Sequence, residues 1–164
     1  ELGRLGVAYL SRQLPDTDAQ ASSPREPSDL IADLMRQPSA RVRSATISLL
    51  LVRPRYWRGT KAALSQLASR DRTTLKLFYS AAVLLQRLHA PTLRAQLGTD
   101  WEELPDLYGS EFGIDDGTSV ESNLVTLADA HRAKTGRLLN WEGTYRQAAD
   151  QLLRQWTLEA RWSR

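Results

Sequence analysis

The stretch TTLKLFYSAAVLLQRLH at positions 73–89 decides the fold. Leu75, Phe78, Ala82 and Leu85 recur at helical spacing, and Leu77, Ala81, Leu84 and Leu88 form a second row beside them. The two rows leave a narrow polar strip of Lys76, Tyr79, Ser80, Gln86 and Arg87. A helix that is apolar around most of its circumference must be covered on several sides. The spacing therefore predicts a central buried helix over 72–89, capped by Asp71, with the other helices packed around it.

Upstream of this helix, residues 2–14 read LGRLGVAYLSRQL, a short helix with Leu5, Ala8 and Leu10 inward that two glycines weaken. PDTDAQASSPREP at 15–27 holds three prolines and no large apolar residue, the composition of a linker. Residues 1–27 are thus read as an N-terminal element and Pro-rich linker, and 28–164 as the helical domain. Ser28 or Asp29 caps a helix through Leu30, Ile31, Leu34 and Met35 that stops before Pro38. Ser39 caps the next, Ala40 to Val52, with Val42, Ala45, Leu49 and Val52 inward and Arg41, Ser44 and Ser48 outward. Pro54 ends it, because proline disfavours helix at the residue before it and lacks a backbone donor. A further helix over 56–68 brings Leu64, Leu67 and Ala68 together.

Downstream, Pro91 sits at a helix start and Gly98 at a helix end. Residues 98–117 are an acidic loop, with one helical turn expected from the Thr99-x-x-Glu102 capping box. Trp101, Leu104, Leu107, Tyr108 and Phe112 punctuate it, so it should lie along the body of the protein. A second box, Thr118 with Glu121, opens a helix that carries Val120, Leu124, Leu127, Ala128 and His131 on one side and stops at Gly136. The last helix, 141–160, is capped by Asn140 and has an inner stripe of Trp141, Tyr145, Ala148, Leu152 and Trp156. Gly143 within it marks a close approach to a neighbour. No stretch alternates as a strand does, so the fold class is all-α: a single compact helical domain, either an irregular bundle or a short right-handed stack.

The totals bound the function. A chain of 164 residues, 41% hydrophobic and 25% charged, is long enough to bury a sizeable core. It contains no cysteine, which excludes disulfides, thiolate metal sites and cysteine nucleophiles. The longest apolar run, 47–52, is too short to span a membrane, and no signal-peptide pattern opens the chain. A cytoplasmic protein of bacterial style is expected. The chain starts at Glu1 rather than Met, as a fragment or a trimmed chain does.

The net charge of +3 conceals segregation: −3 over 1–35, +11 over 36–94, −9 over 95–129 and +4 over 130–164. Blocks of this bias create local fields that the total hides. The +11 block contains Arg53-Pro54-Arg55-Tyr56-Trp57-Arg58, with Lys61 after it and Arg36, Arg41 and Arg43 before it. Arginines bind phosphate and aromatic rings stack on unpaired bases, so this face suits nucleic acid. The −9 block offers the opposite use, lying across the arginines and neutralising them. Asp115-Asp116-Gly117 has the letters of a calcium loop but not its register, since the first and third positions would be Phe112 and Ile114. His89 and His131 are 42 residues apart, and each reads as a packing or helix-end residue. No phosphate-binding loop, dinucleotide fingerprint, zinc-protease or nucleophile-elbow motif occurs. No catalytic residue, metal or cofactor is therefore expected.

The helix, Pro-Ser-Ala turn and VRSATISLL helix over 30–50, followed by Leu64 to Leu84 with Asp71-Arg72 in its turn, resemble two HEAT-type helical repeats. That resemblance implies helix pairs that bind protein partners. LFYSAAVLLQR at 77–87 and NWEGTYRQAADQLLRQW at 140–156 also resemble small bacterial companion proteins that accompany nucleotidyltransferases. The sequence thus reads first as a non-catalytic protein-interaction module, with a protein partner or self-association. Its surface bets are Arg41, Arg43, Arg53, Arg55, Tyr56, Trp57, Arg58, Lys61, Trp101 and Tyr108. The alternative is a nucleic-acid-binding protein using the basic face 36–61. A second alternative is an enzyme with a site assembled from distant residues.

Overall fold

The computed structural model describes residues 2–3, 5–7 and 25–162. Seven α-helices and no strand occur among them: α1 (Pro27–Arg36), α2 (Ala40–Val52), α3 (Trp57–Ser65), α4 (Ser69–Leu88), α5 (Ala90–Leu97), α6 (Val120–Thr135) and α7 (Trp141–Trp162). Short 3-10 turns lie at Pro54–Tyr56, Gly98–Asp100 and Gly109–Phe112.

Helix α4 is the centre. It packs against α1, α2, α5, α6 and α7, as its two apolar rows require. The cover is more complete than the sequence suggests: Tyr79, Ser80 and Gln86, placed on the polar strip, are all buried. Tyr79 and Gln86 sit under the acidic loop. The helix also begins earlier than expected. Ala68 holds the N-cap position with no side-chain hydrogen bond, and Asp71 lies inside the first turn, where its charge suits the helix dipole.

The remaining elements follow local rules, with several shifts. Pro27 occupies the first turn of α1 and Glu26 the cap position, so neither Ser28 nor Asp29 caps it. Ser39 caps α2 as expected, its Oγ accepting from Val42 N. Ser48 does not face outward; it is buried and donates to Ala148 O on α7 at 3.0 Å. From Ala45 to Val52 every residue of α2 is buried, because α1, α4 and α7 all pack against it. Helix α3 is shorter than 56–68, and Gln66 ends it. Residues 2–3 and 5–6 form turns rather than helix, Val7 N donates to Leu2 O, and Val7 is buried. Ala8, Leu10 and the linker up to Pro24 lie outside the described residues.

Gly98 ends α5 at φ 53° and Gly136 ends α6 at φ 66°, left-handed backbone that glycine adopts without penalty. Ser119, not Thr118, caps α6 by accepting from Ser122 N. Asn140 caps α7 through Oδ1, which accepts from Gly143 N at 2.9 Å. A Cβ at residue 143 would meet the Asn140 side chain, so the glycine serves its own cap and not a neighbouring helix. The stripe Trp141, Tyr145, Ala148, Leu152 and Trp156 is buried along its whole length. Trp141 stacks on His131 of α6, with ring centroids 3.5 Å apart and planes 8° from parallel.

Candidate functional site

The acidic loop is a strap across α4 and the basic corner. Leu104 and Phe112 are buried as its apolar anchors. Trp101, Leu107 and Tyr108 are partly buried against the core. The Thr99–Glu102 capping box does not form: residues from Trp101 to Asp106 run without helix, and the helical turn lies instead at Gly109–Phe112. Two buried side chains of α4 hold the extended part. Gln86 Nε2 donates to Glu102 O at 2.9 Å, and its Oε1 accepts from Leu104 N at 2.8 Å. The Tyr79 hydroxyl donates to Pro105 O at 2.9 Å, and burial pushes its ionisation far above the usual phenol range.

Charged side chains close the strap from outside. Glu102 accepts from Trp57 Nε1 at 2.8 Å and from Arg58, and Arg55 stands 4.0 Å away. The bonds from Arg58 and Trp57 hold the Glu102 carboxyl below its usual range. Arg53 reaches within 4.0 Å of Asp100, Lys76 pairs with Glu111 and Arg87 with Asp116, the last two at 2.8 Å. Cations also sit on rings: Arg58 over Trp57, Lys76 over Tyr108 and Arg94 over Trp101.

The ten residues singled out from the sequence therefore divide. Trp57, Arg58, Arg55 and Arg53 meet the strap, and the strap's own Trp101 and Tyr108 are partly buried against the core. Tyr56 is half-buried in the 3-10 turn before α3. Arg41 and Lys61 are exposed and outside this network. Arg43 points elsewhere, donating to Gln37 O and Pro38 O. The aromatic and arginine pair best suited to hold a base is thus already engaged by a carboxylate of the same chain.

The other sequence candidates resolve into structure. Asp115 makes a turn, its Oδ1 accepting from Gly117 N, and Asn123 Nδ2 donates to Asp115 O. Among the described residues no group of three metal-ligating side chains converges. His131 is fully buried, with Nδ1 2.7 Å from the Tyr145 hydroxyl. Burial, with Arg137 nearby, lowers its pKa to about 3.

One surface feature has no counterpart in the sequence reading. Leu138 is 94% exposed, beside Leu139 and Val125 at 46% each. Together with Ala128 and Trp141 they line a shallow groove between α6 and the start of α7, flanked by Arg132 and Glu142. Leucines at 138 and 139 carry no periodic signal, because they lie in the connection between the two helices.

No family model, curated protein or solved structure matches this chain.

Proposed function

We propose that this protein is a non-catalytic helical interaction module that pairs with a second copy of itself through the Val125–Leu138–Leu139 corner. The observation that carries the reading is the near-complete exposure of Leu138 on a chain whose other leucines are, for the most part, buried. Contiguous exposed apolar side chains rimmed by polar ones mark association sites. The rim suits a homotypic contact, since it carries one base, Arg132, and one acid, Glu142. Among the described residues each is paired only with a neighbour on its own helix, Asp129 and Arg146, that a partner's opposite charge can replace. A two-fold axis through the corner sets each against its opposite on the partner.

Two further observations support an interaction module. Helix α1 packs on α3 and α2 on α4, so first helices meet first helices and second meet second. Helices α1 and α2 form a packed hairpin while α3 and α4 do not pack as one, so the contacts follow the HEAT-type resemblance only in how α1 meets α3 and α2 meets α4. The strap also occupies the Trp57–Arg58 corner, which weighs against that corner as a nucleic-acid platform.

The chain has no cysteine, so Leu138→Cys introduces a single thiol. Under mild oxidation this variant should form a disulfide-linked dimer, while Ser65→Cys, on exposed α3, should not. Failure of Leu138→Cys to cross-link, or equal cross-linking of both, would contradict the reading.

A further inference from the structure

A small cavity of about 120 Å³ opens where α2, α4 and α6 meet the start of α7, remote in sequence from the strap. Its wall includes Arg43, Arg70 and Arg137, together with His131, Trp141 and Asp71. Three basic residues thus share the wall with one acid. None of the three arginines forms an ion pair among the described residues. Arg43 is held in place by donating to Gln37 O and Pro38 O. Ala40 and Arg70 bring the first turns of α2 and α4 to the same wall, where backbone N–H groups lack intrahelical acceptors.

The floor of the cavity carries the second, independent observation. His131 and Trp141 are 0% and 4% exposed, and both His131 Nε2 and Trp141 Nε1 lack a hydrogen-bond partner. An indole nitrogen is always a donor. The imidazole can be assigned by satisfaction. The Tyr145 hydroxyl lies 2.7 Å from His131 Nδ1, and the tautomer in which it donates there satisfies both groups. A neutral ring then carries its own proton on Nε2. Two buried donors without acceptors thus belong to residues of the cavity wall, covered from its interior, beside arginines that form no ion pair among the described residues. Three basic residues against one acid leave the wall with a net positive charge, which an anion offsets.

We propose that this cavity is an oxyanion site that takes a phosphoryl group. Guanidinium forks match phosphate oxygens in pairs, and a dianion balances three arginines against Asp71. Arg43, Arg70 and Arg137 supply the contacts to the phosphoryl oxygens, and His131 and Trp141 form the wall beneath them.

The two histidines make a direct test possible, since their imidazole nitrogens resolve as two sets in a ¹H–¹⁵N spectrum of the full chain. Inorganic phosphate should shift the His131 nitrogens saturably and leave those of His89 in place, and chloride at equal ionic strength should not. Arg70→Ala and Arg137→Ala, both at exposed positions, should each weaken phosphate binding about tenfold with an unchanged circular dichroism spectrum. Methyl phosphate binding as tightly as inorganic phosphate assigns the site to phosphate esters; weaker binding assigns it to the free anion. A His131 signal that phosphate does not move, or variants that bind like the parent, would overturn the proposal.

Discussion

The side-chain oxygen of Gln86 accepts a hydrogen bond from the backbone of Leu104 at 2.8 Å, inside the protein and 18 residues away along the chain. The amide nitrogen of the same side chain donates to Glu102 O, so one glutamine satisfies the strap on either side of Glu103. The clamp explains how a loop rich in acids stays against an apolar helix. Its backbone polar groups find partners there that replace water.

Replacing Gln86 with Leu keeps the volume and removes both partners. The buried Leu104 N and the part-buried Glu102 O are then left unsatisfied, the first at about 1–3 kcal/mol and the second at less. Chemical denaturation should show a loss of this order, and limited proteolysis should cut the chain near Glu103 sooner than in the parent.

Glu102 makes stability depend on acid. Its folded pKa lies below the ordinary value of 4.5, first through the Arg58 hydrogen bond and then through Trp57. A depressed carboxylate contributes stability that is fully present above the unfolded value and is lost as pH falls through the folded one. Stability should therefore drop below pH 4.5 more steeply in the parent than in Glu102→Gln. The same variant frees Arg58 and Trp57, and it should elute later from a phosphate-bearing cation exchanger.

His131 acts in a higher window. Its pKa falls to about 3 on folding, from an ordinary 6.5, so the unfolded chain takes up a proton that the folded chain refuses. Stability is full above 6.5 and declines as pH drops toward 3, by roughly 1 kcal/mol per pH unit. The imidazole resonances of His131 should stay unprotonated down to about pH 5, where a free histidine has already titrated.

Tyr145→Phe tests the other side of that ring. It leaves His131 Nδ1 without its partner in a fully buried setting, so about 1–3 kcal/mol should be lost. Leu138→Asp, by contrast, alters a side chain that is 94% exposed and should change monomer stability by no more than about 0.5 kcal/mol.

Much of this architecture was legible in the sequence because it is local. Periodicity marks α4 and the α7 stripe, Ser39 marks the start of α2, and Gly98 and Gly136 mark two ends. The failures share a cause in tertiary context. Ser48 and Gln86 read as surface residues, since nothing nearby in the chain announces that α7 or the strap covers them. Helix α4 starts at a cap without a capping side chain, and no composition rule finds such a start. The strap over the basic corner was foreseeable from opposite charge blocks, but its anchors on Tyr79 and Gln86 were not. The arginine cavity draws on positions 43, 70 and 137 with a histidine that reads as core packing, so it emerges only on folding.

Sedimentation equilibrium of the parent and of Leu138→Asp over a range of concentrations tests the central claim most directly. The account predicts a parent mass that rises toward twice 18.5 kDa and a variant that stays at one chain. A parent that remains at one chain throughout, or a variant that pairs as well as the parent, would contradict it.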